Sequence, residues 1–340
     1  MKLKKEFFEF FSDIRIDTEA NALREKREIL VNDIKSKMPQ ILKDHDINIT
    51  QSDIRTIDQG SYKYNTTIKS DVVDRDVAVI VSMCTDDMGD PRKFKSYLRD
   101  SIDIPSRTVS IKEPCVRASY HDHGIENLHI DLPLYAQIGS DFYLSRGKTN
   151  SSNYSWEDAD PDGLNKYLCG KINGNDQLRR IICFIKKWRD EKYANANNDH
   201  EIPPSIGLTI LACKLFSPQS DNEGDADLLA LQKTMKAILN EFIVSKTITG
   251  EIMSAEISCP LPVRPYTDTF KKMKNSSDSY MIKFYNSLSR AVADLTDAIN
   301  VESPHDAGVY VQKVLGNDFP IPQKEASYAS TRNYREHSFG

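Results

Sequence analysis

The first half of the chain alternates between two hydrophobic periods. Across residues 6–42 apolar side chains recur at helical spacing, which predicts one long helix or a broken pair. The β-branched run VVDRDVAVIV at 72–81 predicts a strand, and PCVRASY and LHIDLPLY predict two more, joined by a turn at HDHG. Between them, DPRKFKSYLRDSI predicts a surface helix with Asp90 as its N-cap and Pro91 in its first turn.

After Gly147 the pattern becomes mostly helical. The segment SSNYSWEDADPDG predicts a loop, and five helices are predicted after it, at 164–170, 175–195, 205–216, 225–243 and 276–299. We expect an α/β (α+β) bilobal protein in which residues 1–147 form an N-terminal helix and a mixed-sheet core. Residues 148–322 then form a helical lobe that closes a cleft, and 323–340, which lack apolar periodicity, form a flexible tail.

Composition narrows the class of protein. The 340 residues are 39% hydrophobic and carry a net charge of -5, which is unlike a nucleic-acid-coating protein but compatible with an anion in a local basic pocket. No stretch approaches the roughly 20 apolar residues of a membrane span, so a cytoplasmic protein is expected. The six cysteines form no CxxC pair, so we expect reduced thiols rather than disulfides or a zinc site.

Acidic residues on two predicted strands suggest a metal site. Side chains at i and i+2 of a strand share a face, so Asp74 and Asp76 project together while Arg75 points away. A third acid, Asp131, lies on a later apolar strand. Three carboxylates at a strand edge suit Mg²⁺, and a pair of metal ions could activate a hydroxyl and stabilise leaving pyrophosphate. The Gly60-Ser61 turn adds backbone N–H groups and a hydroxyl for a phosphate.

A lone DxD occurs often by chance, but this order and spacing indicate nucleotidyl transfer. The stretch GSYKYNTTIKSDVVDRDVAVIV, followed by LHIDLPLY, resembles the polymerase-beta-type nucleotidyltransferase superfamily. Within it, the chain is similar to the bacterial cyclic-oligonucleotide synthases, the CD-NTases, over roughly residues 10–320. The segments WEDADPDGL, IICFIKKWRD, PPSIGLTIL and VQKVLGNDFP carry the resemblance beyond the core.

The resemblance implies roles for individual residues. Asp74, Asp76 and Asp131 would hold two Mg²⁺ ions, with Mn²⁺ as a possible substitute, and Asp131 would lie nearest the attacking hydroxyl. Gly60 and Ser61 match the family's phosphate-gripping turn. Lys186 and Ser205 match residues that contact the donor triphosphate, although Thr209 replaces an acidic residue that family members often have one turn after the serine.

The pattern of the helix that contains Lys186 supports its assignment independently. Its apolar stripe is Leu178, Ile181, Ile182, Ile185 and Trp188. Lys186 flanks this stripe and could reach a cleft, whereas Lys187 points nearly opposite the core. The other interpretation is that the basic residues of this helix form a solvated face.

The resemblance implies an enzyme that joins ribonucleoside triphosphates, ATP or GTP, into a cyclic di- or trinucleotide for anti-phage signalling. Its product would activate a separate effector protein, and a ubiquitin-transfer-like companion enzyme could act on the C-terminal Gly340. No membrane and no stable nucleic-acid partner is expected. The alternatives are a nucleotidyltransferase acting on RNA, a small molecule or a protein, and a catalytically silent nucleotide or RNA sensor.

Overall fold

A computed structural model describes residues 2–16, 21–69 and 73–324. The helices are α1 Lys4–Ile14, α2 Asn21–Lys43, α3 Gly60–Lys63, α4 Pro91–Ile102, α5 Pro161–Ile172, α6 Asp176–Lys192, α7 Ser205–Leu215, α8 Asp227–Asn240, α9 Lys271–Ser276, α10 Asp278–Asn300 and α11 Pro304–Leu315. The strands are β1 Ile54–Gln59, β2 Val73–Ser82, β3 Thr108–Ile111, β4 Val116–Asp122, β5 Ile125–Leu132, β6 Leu134–Ile138, β7 Asp141–Arg146, β8 Ser155–Ala159, β9 Ser220–Asp221, β10 Gly224–Asp225, β11 Ile243–Lys246 and β12 Ile252–Glu256.

Strand β2 is the centre of a mixed eight-stranded sheet. It pairs antiparallel with β1 on one edge and parallel with β5 and then β6 on the other. Asp76 lies opposite Asp131 and Val79 opposite Leu134, so β5 and β6 keep one register past the interruption at Pro133. Antiparallel pairs β3–β4 and β6–β7–β8 extend the sheet.

Successive side chains of β2 point to opposite faces of the sheet, and the two faces pack against different residues. Val77, Val79 and Val81 are fully buried in a core that also contains α2 and α4 residues. Ala78 and Ile80 point to the other face and pack with Tyr135 and Phe142 of β6 and β7. Asp74 and Asp76 are in phase with this second face, which is therefore where the acidic site forms.

The second lobe is helical. Its core joins α5 to α8 with α10 and α11, and the predicted α6 stripe is buried throughout. Helix α1 packs with this lobe, where Phe7 and Phe10 contact Phe184 and Phe319. The predicted α/β fold, with a mixed sheet and a helical lobe, is confirmed.

Several local predictions hold. Two helices, α1 and α2, are present in the N-terminal region, and the Asp90 side chain accepts a hydrogen bond from the Arg92 N–H at the start of α4. The HDHG turn joins β4 to β5, with His123 and Gly124 at positive φ. All six cysteines are free.

One local prediction is wrong. The segment expected to be a loop after Gly147 contains β8, which pairs with β7 and extends the sheet to Ala159. Its sequence, SWEDA, is polar because β8 ends the strand order and has one unpaired side, so it lacks the apolar alternation of a buried strand.

The hairpin β11–β12 and helix α11 are additional to the predicted elements. The predicted tail beyond Lys324, with Gly340, lies outside the described residues. Within the described ranges, no helix is both long and apolar enough to cross a membrane.

Candidate active site

Strand pairing arranges the predicted acids in rows across the sheet. Asp76 of β2 lies opposite Asp131 of β5, and Asp131 lies opposite Arg117 of β4. The next row on the same face pairs Asp74 with His129. Because neighbouring strands are about 4.8 Å apart, the rows bring these carboxylates and basic groups into reach of one another.

Two of the three carboxylates contact a basic group. Arg117 donates two hydrogen bonds to Asp131, Nε to Oδ1 at 2.7 Å and Nη2 to Oδ2 at 2.8 Å. This pairing raises the pKa of the Arg117 guanidinium. His129 Nε2 lies 3.1 Å from Asp74 Oδ1, and its hydrogen bond to Asp74 raises the pKa of the imidazole.

Asp76 has a different environment. Burial, followed by the neighbouring charges of Asp74 and Asp131, raises the pKa of Asp76 to about 7. The residue opposite Asp76 on the neighbouring strand β1 is Gln59, which carries no positive charge. A cation bound at this carboxylate cluster would relieve the repulsion.

The donor set fits a divalent metal. One potential ligand atom from each of Asp74, His129 and Asp131 lies within 4.8 Å of the others. Carboxylate oxygens are the ligands that Mg²⁺ prefers, and Asp74 is 54% exposed and open to solvent.

Gly60 is required by its place beside Asp76. It follows β1, starts the short helix α3 and has φ of +68°. A Cβ at this position would lie 2.0 Å from Asp76 Oδ2. Glycine therefore permits both the turn and the close approach of the Asp76 carboxylate to the backbone.

The remaining predicted residues surround the same space. Ser61 Oγ lies 3.0 Å from Thr67 Oγ1. Lys186 is buried and donates to the Thr66 carbonyl at 2.9 Å, and burial lowers its pKa to about 8. Ser205 begins α7, and its carbonyl accepts a hydrogen bond from the Thr209 hydroxyl at 2.9 Å. The solvated-face interpretation does not hold for Lys186.

One cavity of about 190 Å³ joins most of these groups. It is lined by six of the seven predicted site residues, Gly60, Ser61, Asp74, Asp76, Lys186 and Ser205. The seventh, Asp131, lines an adjacent cavity of about 480 Å³ between the lobes. Gly60 and Asp76 line both cavities, so the carboxylates lie where the two meet.

Sequence reasoning assigned no role to two basic residues of this site, although it places one of them, His129, on the same strand face as Asp131. Arg117 lies on β4 in the segment predicted as a strand, but only the register reveals that it faces Asp131. His129 is two residues before Asp131, and strand alternation places both on one face. That alternation was the available signal, but it does not reveal the pairing with Asp74.

The fold and the site define the class of protein: a mixed sheet with acids on adjacent strands, closed by a helical lobe, is a nucleotidyltransferase architecture. Residues 54–135 match the family model for the nucleotidyltransferase domain of cyclic GMP-AMP synthase DncV-like proteins. This segment therefore matches a DncV-like nucleotidyltransferase domain. No curated protein matches the sequence.

Solved structures show the same fold over nearly the whole chain. The Bradyrhizobium diazoefficiens CD-NTase CdnG in complex with GTP has a TM-score of 0.68 at 13% identity, covering 92% of this chain and 95% of that one. Vibrio cholerae DncV cyclic AMP-GMP synthase with nonhydrolyzable GTP has a TM-score of 0.67 at 16% identity, covering 95% and 100%. Escherichia coli MS115-1 CdnC, in a complex with HORMA-deltaN, has a TM-score of 0.65 at 19% identity, covering 93% and 98%.

Proposed function

We propose that this chain joins ribonucleoside triphosphates through phosphodiester bonds, releases pyrophosphate and closes the product into a cyclic di- or trinucleotide. The observation that carries the proposal is the pair of adjoining cavities with the carboxylates at their junction. One cavity suits the triphosphate of a donor nucleotide, and the other, larger cavity suits an acceptor. An enzyme that only hydrolysed a nucleotide would have no use for the second.

The smaller cavity has the groups that bind a triphosphate. Lys186, Ser61 and Ser205 line it, and their ammonium and hydroxyl groups are of the kind that donates to phosphate oxygens. Because the pKa of Lys186 is about 8, its side chain is charged near neutral pH. Binding there would place the α-phosphate beside Asp74 and Asp76.

The larger cavity contains the carboxylate that we place nearest to the attacking hydroxyl of the acceptor nucleotide. Asp131 lines it, and Arg117 fixes the orientation of the Asp131 carboxylate. In the proposed reaction a ribose hydroxyl of the acceptor attacks the α-phosphate in line, and pyrophosphate leaves toward Lys186. A bound divalent metal, Mg²⁺ or Mn²⁺, held by Asp74, Asp76 and Asp131, would supply activation of the hydroxyl and charge stabilisation. The chain's contribution is mainly positioning and electrostatics.

We further propose that the product is a second messenger of anti-phage defence that activates a separate effector protein. The relation to CD-NTases supports this role. We also propose that a ubiquitin-transfer-like companion enzyme acts on Gly340. Mass spectrometry of the chain expressed with its neighbouring genes would detect that modification, and a C-terminus that stays free beside an active companion enzyme would refute it.

Incubation with four labelled ribonucleotides tests the activity. The protein receives Mg²⁺ or Mn²⁺, the products are treated with phosphatase, and the resistant species are separated. We expect a resistant product of two or three nucleotides from the wild type and none from the double variant Asp74→Asn, Asp76→Asn. Turnover that requires RNA or a protein acceptor would instead indicate a different nucleotidyltransferase, and nucleotide binding without turnover would indicate a sensor.

A further inference from the structure

His129 occupies a position in the sheet that the proposed reaction does not yet use. It lies opposite Asp74 in the parallel β2–β5 pair and two residues before Asp131, on the same face. Its side chain is 12% exposed, and Nε2 is 3.1 Å from Asp74 Oδ1. A ring nitrogen is therefore fixed among the carboxylates instead of lying free at the surface.

A compact group of potential ligand atoms includes a ring nitrogen of His129. Asp74, His129 and Asp131 each place one ligand atom within 4.8 Å of the other two. The Asp76 carboxylate, by contrast, is packed against Gly60, with Oδ2 at 2.0 Å from the place of a Cβ. The group of Asp74, His129 and Asp131 thus offers two oxygens and one nitrogen.

A nitrogen donor changes which metal a site prefers. Mg²⁺ takes oxygen ligands almost exclusively and gains little from an imidazole. First-row transition ions accept imidazole nitrogen together with carboxylate oxygen. A site with His129 as a ligand would therefore discriminate against Mg²⁺, whereas a purely carboxylate site would not.

We propose that the His129 imidazole nitrogen is a metal ligand beside Asp74 and Asp131, which makes this centre a mixed nitrogen and oxygen site that favours Mn²⁺ over Mg²⁺. The inference deepens the proposed function and rests on it for the presence of a metal. Without metal, His129 is hydrogen-bonded to Asp74, and metal binding would displace the proton of that bond. The competing role is positioning, in which the nitrogen keeps this proton and goes on donating to Asp74 when the metal is bound. One nitrogen cannot donate an N–H and offer its lone pair to a metal at once, so the two roles exclude each other.

Pulsed electron paramagnetic resonance of bound Mn²⁺ tests the proposal on the wild-type protein. The full chain is labelled with ¹⁵N only at histidine and receives Mn²⁺ alone. We expect a ¹⁵N hyperfine coupling typical of a directly bound imidazole. Bound Mn²⁺ without this coupling, or no bound Mn²⁺ at all, would overturn the assignment.

Two matched variants identify the histidine. His129→Gln keeps an amide N–H that can donate to Asp74 but removes the imidazole, and His45→Gln changes an exposed histidine that stacks on Tyr97. The coupling should vanish in His129→Gln and persist in His45→Gln. Calorimetry should show Mn²⁺ affinity falling by about tenfold or more in His129→Gln, with a smaller change for Mg²⁺. Equal losses for both metals, or a coupling that survives in His129→Gln, would refute ligation by His129.

The outcome is separable from that of the proposed function. A chain that makes cyclic oligonucleotides but shows no histidine coupling loses only the assignment of His129. A chain that binds Mn²⁺ through His129 but forms no oligonucleotide retains the metal site and loses the proposed reaction.

Discussion

Replacing Gly60 by alanine would separate backbone strain from damage to the active site. The left-handed backbone at φ +68° costs a residue with a Cβ about 1–2 kcal/mol of folding free energy. The new Cβ would also lie 2.0 Å from Asp76 Oδ2, whereas ordinary contacts begin at 3.4 Å. The Asp76 carboxylate must therefore move by more than about 1 Å, and a displacement of that size can lower a rate by about a hundredfold.

Gly139 provides a matched control in the same lobe. It lies in the turn between β6 and β7 with φ of +59°, and a Cβ there would meet nothing within 4 Å. Gly139→Ala should therefore carry the same backbone strain without touching a carboxylate. Each variant should lower Tm by about 1–2 °C for every kcal/mol lost.

Thermal denaturation and nucleotide turnover, measured on both variants, test this reasoning. We expect both to lose similar stability, while only Gly60→Ala loses about a hundredfold or more in kcat. If Gly60→Ala retained wild-type kcat, the contact between Gly60 and Asp76 would not control the carboxylate. If both variants lost activity equally, general destabilisation would be the cause.

Two other predictions concern basic residues. Lys186→Met should weaken binding of a nonhydrolysable triphosphate by roughly 10- to 100-fold near pH 7. Because the pKa of Lys186 is lowered to about 8, wild-type affinity should fall toward the variant's as pH rises through that value, and equilibrium binding across pH that shows parallel curves would contradict this. Arg75→Met removes the hydrogen-bonded ion pair of a buried guanidinium with Asp58, which keeps its pair with Arg27, and should destabilise the fold by about 1–3 kcal/mol. Arg55→Met removes a half-exposed pair with Asp162 and should cost about 0–1 kcal/mol, so equal losses in urea unfolding would refute the distinction.

Strand and helix periodicity in the sequence predicted which side chains of the candidate site point in the same direction. Strand alternation placed Asp74 and Asp76 on one face, and helical periodicity placed Lys186 beside the buried stripe of α6. Neither periodicity specifies which residues of two distant strands lie opposite each other. For that reason the contacts of Arg117 with Asp131 and of His129 with Asp74 become visible only in the folded sheet.

The fold was predicted best where elements are amphipathic and least well at edges. Strand β8 contains only one large apolar residue, Trp156, and its place depends on backbone pairing with β7. The hairpin β11–β12 exposes Ile243 and Met253, so its apolar residues do not mark a buried face. Helix α11 did carry a signal, because Ala307 and Val311 are buried one turn apart.

The sheet register also decides where the site lacks positive charge. Asp131 has Arg117 beside it in its row and Asp74 has His129, whereas Asp76 is flanked by Gln59 and by another carboxylate. The need for an added cation is therefore greatest at Asp76, as its raised pKa indicates. Asp76 is also the carboxylate that lines both cavities. In the proposed reaction, the position that most needs an added cation is therefore the one where the donor and acceptor nucleotides meet. A shift of β5 by one residue against β2 would turn Asp131 to the opposite face and remove it from the larger cavity.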